Sequence, residues 1–378
     1  MNLEGFKAGY YRQQNQYKSF SPSKVNENWY WNNQKLNTLL AEANHKLGSL
    51  NAFSLYVPDV DFYIQMHKAK EATASSRIEG TKTEVEDALL READVLPERR
   101  DDWQEVQNYI EAMNFVIGQL ETLPISTRLL KETHRILLGK GRGEKKEPGE
   151  YRHSQNWIGG ANPGNASFVP PHHEEVPALM GDLENFLHNE SIDVPELVRI
   201  AIGHYQFETI HPFLDGNGRI GRLMITIYLV SKGLLTKPTL YLSDYFEKHR
   251  TEYIDQLARV REKDDILPWL RFFMEAVIAT ATTGADTFGK IQKLRDEVEG
   301  IRLVKLGKRF PRAKELVNAL YRKPTVTAAD VAEILDVVQG TANTLIDDFV
   351  KLGILIEITG SRRNRIFTFS EYVKLFTS

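Results

Sequence analysis

Twelve residues of this chain, 211–222, read HPFLDGNGRIGR. His211 is the residue of this run whose ordinary pKa suits general-base work near neutral pH. Asp215 supplies hard carboxylate oxygens of the kind that Mg²⁺ takes when it shares phosphates with a protein. With its glycines and its two arginines, the run therefore predicts a triphosphate site with a proton acceptor at its edge.

Helical segments are predicted on both sides of this run. From Glu196 to Thr209 the apolar residues recur at helical spacing. Pro212 and the DGNG sequence at 215–218 then predict a tight loop. From Arg219 to about Lys232 apolar residues surround the helix nearly all the way round, so we expect this second helix to be buried.

Arg219 and Arg222 stand near the start of the buried helix, where anions are favoured. A buried guanidinium without an anion is costly, and a helix N-terminus attracts anions through its free N–H groups and its dipole. Gly216 and Gly218 let a ligand approach the backbone, and Asn217 can tolerate an unusual backbone angle or donate an amide hydrogen bond. An ordinary buried helix, with paired arginines and a histidine capping a turn, explains each residue singly but not the whole set.

Other motifs in the sequence are weaker. The glycines at 216, 218 and 221 match the dinucleotide fingerprint, but that motif needs a preceding strand and here the period is helical. The chain has no G-x-x-x-x-G-K-[S/T] phosphate loop. Residues 172–175, HHEE, look like a metal cluster, but adjacent residues point in different directions and the H-E-x-x-H spacing is absent. They favour a solvated helix start after the two prolines at 170–171.

Residues 211–222 resemble the signature of the Fic family, H-P-F-x-[D/E]-G-N-G-R-x-x-R, without a departure, and we judge that the resemblance covers roughly residues 35–285. Most members of that family transfer AMP from ATP to a hydroxyl side chain of a target protein. The resemblance implies that His211 deprotonates the target hydroxyl and that Asp215 holds Mg²⁺. It also implies a set of ATP-binding positions around the phosphates: Gly216, Asn217, Gly218, Arg219, Ile220, Gly221 and Arg222.

A second segment, residues 149–160, is similar to the family's flap, a β-hairpin that positions the target side chain beside ATP. This implies that Ile158 and Gly159 belong to the nucleotide site. From the residues alone, the glycines and the NPGN sequence at 162–165 predict a hairpin or a loop, and the lack of clean alternation favours a loop. Tyr253 falls where family members place an aromatic near the adenine, but an aromatic at helical spacing is as readily a core residue.

A third segment, residues 74–80, resembles the family's inhibitory motif, [S/T]-x-x-x-E-[G/N], with Ser75, Glu79 and Gly80 at its fixed positions. Residues 61–79 are predicted to form a helix that Gly80 ends, and its C-terminal dipole should make the Glu79 carboxylate seek a cation. The resemblance implies that this cation is Arg222, which would then be denied to the γ-phosphate. The alternative is an ordinary surface glutamate. Some relatives also use this glutamate to remove AMP, and the sequence leaves that open.

Length and composition agree with a multi-domain globular protein. The 378 residues suggest two or three domains, and the formal charge of −3 gives no overall attraction to nucleic acid or anionic membrane. The absence of cysteine excludes a disulfide scaffold and thiolate chemistry. The N-terminus lacks the apolar core of a signal peptide, and the most apolar later run, 267–285, contains charged residues and is expected to be a core helix. We therefore expect a cytoplasmic protein.

We divide the chain into five regions. Residues 1–34 form an N-terminal arm, which we expect to dock through Trp29, Tyr30 and Trp31. Residues 35–122 form a helical region with the inhibitory helix. The remaining regions are the catalytic core at 123–283, a helical linker at 284–309 and a C-terminal domain at 310–378.

The C-terminal domain resembles a winged helix, because three predicted helices precede two strand-like runs. Residues 340–352 would be its recognition helix, and the wing would carry Arg362, Arg363 and Arg365. From residue 301 onward there are 13 basic and 8 acidic residues. Asp347 and Asp348, however, lie on the part of the third helix that we expect to be exposed, where a DNA-reading helix would not favour them. A DNA partner and a protein partner are equally open.

We thus predict a mainly α-helical protein adenylyltransferase with a β-hairpin flap and a small α+β domain. It would use ATP and Mg²⁺, modify a Tyr, Thr or Ser hydroxyl of a target protein or of itself, and be inhibited by Glu79. The main alternative is an ATP-sensing transcription regulator, which would not need His211. A third is an enzyme of the same fold that transfers another phosphate-containing group. The sequence does not fix the oligomeric state, so a homodimer stays open.

Overall fold

The structure is a computed structural model that describes residues 3–30, 33–56, 59–360 and 364–377. It is mainly helical, as the sequence predicts. The helices up to residue 297 are α1 (Gln34–Tyr56), α2 (Val60–Ile78), α3 (Val85–Ala88), α4 (Arg100–Gln119), α5 (Thr127–Leu137), α6 (Val176–His188), α7 (Glu196–Ile210), α8 (Asn217–Ser231), α9 (Ser243–Lys248), α10 (Arg250–Lys263) and α11 (Leu267–Glu297).

Helices α7 and α8 pack against each other at the centre of the molecule. The apolar side chains around α8 are buried on all sides, as its sequence predicts, and α2, α4 and α5 also contact it. The indole N–H of Trp269 donates to the carbonyl of Ala201 over 2.9 Å and ties α11 to α7. The loop that joins α7 to α8 is therefore held by a rigid, buried pair of helices.

The N-terminal arm contains a two-stranded antiparallel hairpin that the sequence analysis did not predict. Its strands are β1 (Gly9–Gln13) and β2 (Lys18–Pro22). The amide of Phe20 donates to the carbonyl of Val169 over 2.9 Å, so the arm lies against the segment that follows the predicted flap. Trp29 is buried, as expected for docking, whereas Tyr30 is 68% exposed and Trp31 lies outside the described residues.

The predicted boundary at 283/284 falls inside a continuous element, because α11 runs without interruption from Leu267 to Glu297. A π-helical turn (Val298–Arg302) and a 3₁₀ segment (Leu303–Arg309) follow it. Among the described residues we find no helix with both the length and the hydropathy that a membrane span requires.

The C-terminal region contains α12 (Phe310–Arg322), β3 (Thr325–Thr327), α13 (Ala328–Ile334), α14 (Gln339–Lys351), β4 (Ile356–Glu357), β5 (Ile366–Thr368) and α15 (Ser370–Thr377). The three strands form an antiparallel sheet in the order β3-β5-β4. Thr327 and Asp330 form a reciprocal capping box at the start of α13. Strand β3 and helix α15 are additions to the predicted elements. Helices α12 and α15 pack against α2, where the rings of Tyr321 and Tyr63 lie 5.5 Å apart.

The expectation that Asp348 lies on the exposed face of α14 is wrong. Its carboxylate turns inward and pairs with Arg309 over 2.6 Å, and the residue is 9% exposed. Asp347, in contrast, is exposed. Of the three predicted wing arginines, Arg365 is exposed, whereas Arg362 and Arg363 lie outside the described residues.

Candidate active site

His211 occupies the residue directly after α7, where the chain leaves the helix. Its backbone adopts a left-handed conformation, with φ of 51°, and its amide donates to the carbonyl of Phe207 over 2.9 Å. A non-glycine residue rarely adopts such an angle, and when it does the surrounding structure must hold it there. The geometry therefore fixes the direction in which the imidazole leaves the backbone.

The loop between α7 and α8 is closed by the side chain of Asn217. Its amide oxygen accepts from the N–H of Phe213 over 2.8 Å, and its amide nitrogen donates to the carbonyl of the same residue over 2.9 Å. Of the two predicted uses of Asn217, the amide hydrogen bond is the one found, and it serves the loop itself. Gly216, with φ of 76°, takes the left-handed position before the helix.

The glycines of α8 have a packing role. A Cβ on Gly218 would lie 2.2 Å from the Glu79 carboxylate and 2.6 Å from the Arg222 guanidinium. A Cβ on Gly221 would lie 2.4 Å from the carboxylate of Glu208. Side chains from α2 and α7 thus approach the backbone of α8 here, where the sequence analysis expected a ligand to do so.

The two signature arginines are both buried and both paired. Arg219 lies 3.3 Å from Glu105 and 3.4 Å from Asp215. Arg222 donates to the hydroxyl and to the carbonyl of Ser75, each over 2.9 Å, and to the Glu79 carboxylate over 2.7 Å. Each guanidinium therefore has a carboxylate partner, as the cost of a buried charge requires.

The Glu79 carboxylate lies between Arg222 and solvent at the C-terminal end of α2. Its side chain is 40% exposed, whereas that of Arg222 is 2% exposed. Burial alone would raise the pKa of Glu79, but Arg222, helped by Arg219, outweighs burial and lowers it. Burial would likewise lower the pKa of Arg222, but Glu79 above all raises it. The pair is therefore charged at neutral pH.

His211 is neutral at physiological pH. Burial, followed by the nearby Arg152 guanidinium, lowers the pKa of its imidazole to about 4. Its Nδ1 atom is buried without a hydrogen-bond partner. Asp215, four residues along, is more open: its side chain is 46% exposed, and one carboxylate oxygen accepts from the N–H of Gly216 over 2.5 Å.

The predicted flap is a loop closed by a single β-bridge. Ile158 and Phe168 form that bridge, and Gly159 and Gly160 both have positive φ angles of about 70°. Ile158 is 40% exposed and the preceding Trp157 is 39% exposed. Within the described residues the flap has no longer strand pairing, in agreement with the loop that the composition favours.

Arg152 is a residue of this site to which the sequence analysis assigned no role. It is 1% exposed, and its guanidinium donates to the carbonyls of His211 over 3.0 Å and of Pro171 over 2.6 Å. Its own amide donates to the carbonyl of Pro212 over 3.0 Å. Arg152 therefore holds the His211 loop against the flap, a contact between residues 59 positions apart that no local spacing indicates.

His134 of α5 makes a second, unpredicted link between the flap and the loop. Its Nδ1 accepts from the amide of Gly149 over 2.8 Å, so Nε2 carries the proton and donates to the carbonyl of Asp215 over 3.0 Å. The ring stacks on Phe213 at 3.8 Å. Burial lowers the pKa of His134 to about 4, so this neutral tautomer is the form present at neutral pH.

Glu208, one turn before His211 on α7, also lies in this site without having been predicted. One of its carboxylate oxygens is buried without a partner. Burial raises its pKa to about 7, and the nearby Arg222 guanidinium only partly compensates. Its spacing of three residues from His211 is the signal that could have indicated it.

Tyr253 lies in the aromatic core and is 3% exposed. Its hydroxyl is within 2.8 Å of the Nε2 atom of His204, and its ring stacks on Phe246 at 4.6 Å. The sequence left two interpretations open, an aromatic near the adenine and a core residue, and this position agrees with the core residue.

The HHEE segment begins a helix, as predicted, with a 3₁₀ turn (His173–Glu175) leading into α6. Its side chains do not point apart, contrary to the prediction from their adjacent positions. The rings of His172 and His173 lie 4.1 Å apart, and their ligand atoms and those of Glu174 all lie within 4.8 Å of one another.

Comparisons with known proteins agree with this geometry. Residues 37–117 match the family model described as Fic/DOC family N-terminal, and residues 124–229 match the Fic/DOC family model. The chain thus contains two stretches, together about half of its length, that match the models of this family. The second match contains His211 and the whole signature, and the first contains Ser75, Glu79 and Gly80.

Two similar Fic proteins are the protein adenylyltransferases Fic of Culex quinquefasciatus and Aedes aegypti. Each is 31% identical over 183 residues, which is 48% of this chain and 33% or 34% of the relative. The chain thus matches about a third of the length of these curated relatives.

Solved structures of Fic proteins share the fold. A Fic family protein from Desulfovibrio desulfuricans superimposes with a TM-score of 0.55 at 21% identity, over 91% of this chain and 98% of that one. A Fic domain containing signaling protein from Bacteroides thetaiotaomicron gives 0.53 at 19% identity, over 68% and 97%. The mainly helical architecture predicted from the sequence is confirmed.

Proposed function

We propose that this protein is an adenylyltransferase that moves AMP from ATP to a Tyr, Thr or Ser hydroxyl of a target protein. The observation that carries the proposal is the placement of His211, a neutral base, beside the N-terminus of α8 with its buried arginines. The names of the curated relatives support the same reaction.

In this reaction the hydroxyl oxygen attacks the α-phosphorus, its proton passes to His211, and the bond to the β-phosphate breaks to release pyrophosphate. A base with a pKa well below 7 is unprotonated at neutral pH and is available for this transfer. Arg152 and His134 would act on the reaction indirectly, because they position the loop that carries His211 and Asp215. Most of the rate enhancement would come from such positioning and from charge neutralisation.

The phosphates would bind at the start of α8, where the first-turn N–H groups and Arg219 favour negative charge. The residues present fit a magnesium ion, because the partly exposed Asp215 carboxylate stands beside this phosphate site and Mg²⁺ shared with phosphates needs only one or two carboxylates. When bound, the ion would neutralise phosphate charge. Ile158 and Gly159 of the flap would line the nucleotide on its other side.

We further propose that the protein is self-inhibited. The supporting contact is the 2.7 Å ion pair between Glu79 and Arg222, together with the two hydrogen bonds from Arg222 to Ser75. While these contacts hold, Arg222 cannot turn to a γ-phosphate, so ATP would bind without the contact between Arg222 and its γ-phosphate that aligns it for transfer.

For the C-terminal domain we propose a winged helix, since three helices and a three-stranded sheet follow in the order that this fold requires. With Asp348 turned inward, the exposed face of α14 is more nearly neutral than the sequence indicated. Retention on duplex DNA that falls steeply with added salt would assign a nucleic-acid partner. Absence of retention at low salt would exclude duplex DNA as the partner of this face.

The reaction class is tested by comparing ATP labelled at the α-phosphate with ATP labelled at the γ-phosphate, each with Mg²⁺ and cell lysate. The Glu79→Gly variant is used because it lacks the carboxylate that pairs with Arg222. Beyond the label that lysate alone incorporates through its own kinases, we expect additional protein-bound label only from the α-phosphate, and none after His211→Ala is added. Additional label from the γ-phosphate would instead show transfer of a phosphoryl group, and no additional label from either would contradict transferase activity.

A further inference from the structure

A cavity of about 330 Å³ lies between α2, α9, α11 and α15, apart from the 211–222 loop. Cavities of this size hold small molecules. Its lining includes Lys70 of α2, Lys248 of α9, Thr283 of α11 and Phe376 of α15. It therefore joins the inhibitory helix to the last helix of the C-terminal domain.

Two residues that line this cavity each carry a buried polar atom without a hydrogen-bond partner. These atoms are the Nε2 atom of His67 and the hydroxyl oxygen of Tyr241, a residue that is 7% exposed. Leaving such a group unpaired costs about 1–3 kcal/mol. Burial, followed by Lys70, lowers the pKa of His67 to about 3, so its ring is neutral and presents one donor and one acceptor nitrogen. A hydroxyl-rich molecule would supply the missing partners once these side chains turn toward the cavity, because both atoms are almost inaccessible in the present conformation.

At one place in the lining two lysines meet a single carboxylate, although over the whole lining three lysines stand against three acids. Lys70 and Lys248 share the single carboxylate of Asp244, at 3.3 and 3.0 Å. Lys290 also lines the cavity and has no ion pair with any described residue. Two further acids line it, Asp286 and Glu71.

The Glu71 carboxylate is already satisfied. It accepts from the hydroxyl of Ser243 over 2.5 Å and from that of Tyr109 over 3.2 Å. The lysine pair around Asp244 is therefore suited to a phosphate monoester, which carries close to two negative charges at neutral pH.

The cavity is coupled to the inhibitory contact through α2. Lys70 and Glu71 stand one turn before Ser75, and Glu79 follows one turn after it. In the structure the cavity is open while Glu79 is paired with Arg222. A ligand that binds this conformation in preference to others stabilises it by mass action.

We propose that this cavity binds a small phosphorylated polyol, of the sugar monophosphate class, and that binding strengthens the contact between Glu79 and Arg222. The phosphate would lie between Lys70 and Lys248, and the hydroxyls would face His67 and Tyr241. Binding itself does not depend on the proposed function, whereas the resulting inhibition rests on it.

Binding is tested by calorimetry on the full chain with ribose 5-phosphate as the probe and with ribose and inorganic phosphate for comparison. We expect one site per chain, weakened at least tenfold by Lys70→Ala/Lys248→Ala and at least threefold by Tyr241→Phe. Lys35→Ala/Lys46→Ala removes the same charge from α1, outside the cavity lining, and should bind as the wild type does. The proposal is overturned if the sugar phosphate does not bind, or if neither cavity variant weakens its binding. It is also overturned if inorganic phosphate binds with the same affinity as ribose 5-phosphate.

The coupling is tested with the α-phosphate labelling assay. Saturating ribose 5-phosphate should lower labelling by the wild type at least threefold and leave labelling by Glu79→Gly unchanged, although that variant still binds the probe. Equal inhibition of both would indicate competition at the nucleotide site and would overturn the coupling. Absence of labelling in every variant would remove the proposed function, and the calorimetric result would still decide whether the cavity binds.

Discussion

Replacing Glu79 with glycine should raise the rate of AMP transfer about 10- to 30-fold. The physical reason is that Arg222 loses its only carboxylate partner within ion-pairing distance among the described residues and becomes available to the γ-phosphate. The pair is short, at 2.7 Å, but its two ends differ in exposure. The expected size of the rate increase follows from that difference in exposure.

A fully buried pair that loses one partner costs about 3–5 kcal/mol, and an exposed pair contributes about 0–1 kcal/mol. Here the Arg222 end is buried and the Glu79 end is 40% exposed, and Arg222 keeps both hydrogen bonds to Ser75. We therefore assign the ion pair between Glu79 and Arg222 a stabilising free energy of about 1.4–2 kcal/mol after allowing for solvent screening. At about 1.36 kcal/mol per factor of ten, this corresponds to the stated range.

The assay measures incorporation of α-labelled AMP into protein by the full chain with Mg²⁺. Glu84→Gly is the matched control, because the Glu84 carboxylate also pairs with an arginine over 2.7 Å, but with Arg77 of α2 and not with Arg222. Glu79→Gln should give a smaller rise than glycine, since a neutral amide still accepts a hydrogen bond from Arg222. The reasoning is refuted if Glu79→Gly changes the rate less than threefold, or if Glu84→Gly raises it equally.

Three further predictions concern stability. Arg152→Ala should lower the free energy of unfolding by about 3 kcal/mol or more, because several buried carbonyls lose their donor; an unchanged urea midpoint would contradict this. Glu208, with its pKa raised to about 7, binds more protons folded than unfolded between about pH 4.5 and 7, so its own contribution to the free energy of unfolding should fall by up to about 3 kcal/mol as the pH rises through that window. Because the buried histidines change stability in the opposite direction, the test compares the wild type with Glu208→Gln at each pH. The stability of the wild type relative to Glu208→Gln, measured by thermal unfolding, should be lower at pH 8 than at pH 5, and an equal difference at both pH values would refute the assignment. Thr327→Ala should cost about 1 kcal/mol by removing a capping box, and thermal unfolding that matches the wild type would contradict it.

The features that follow from local sequence were predicted well. Helix α7 was expected to begin at Glu196 and does so, and α2 ends next to Gly80 as expected. Periodicity and helix-ending residues act within a few positions of one another, so a sequence contains nearly all of the information that determines them. The inhibitory segment was indicated by its resemblance to a family motif.

Distant contacts could not be read from the sequence in the same way. Arg152 bonds the carbonyl of a residue 59 positions later, and His134 reaches one 81 positions later. The sequence also misplaced Asp348, because its inward turn depends on Arg309 from another element. In each case the helical period indicates which face a side chain occupies but not what packs against that face.

The sequence by itself determined the helical architecture, the loop that presents His211, and the positive helix terminus that would receive phosphates. Only the tertiary structure decided between a Glu79 paired with Arg222 and an ordinary surface glutamate, and only it showed that the flap is tied to the His211 loop and that a cavity lies behind α2. The physical reason is that helix formation depends on neighbours along the chain, whereas charge pairing, burial and the pKa shifts they cause depend on which helices meet.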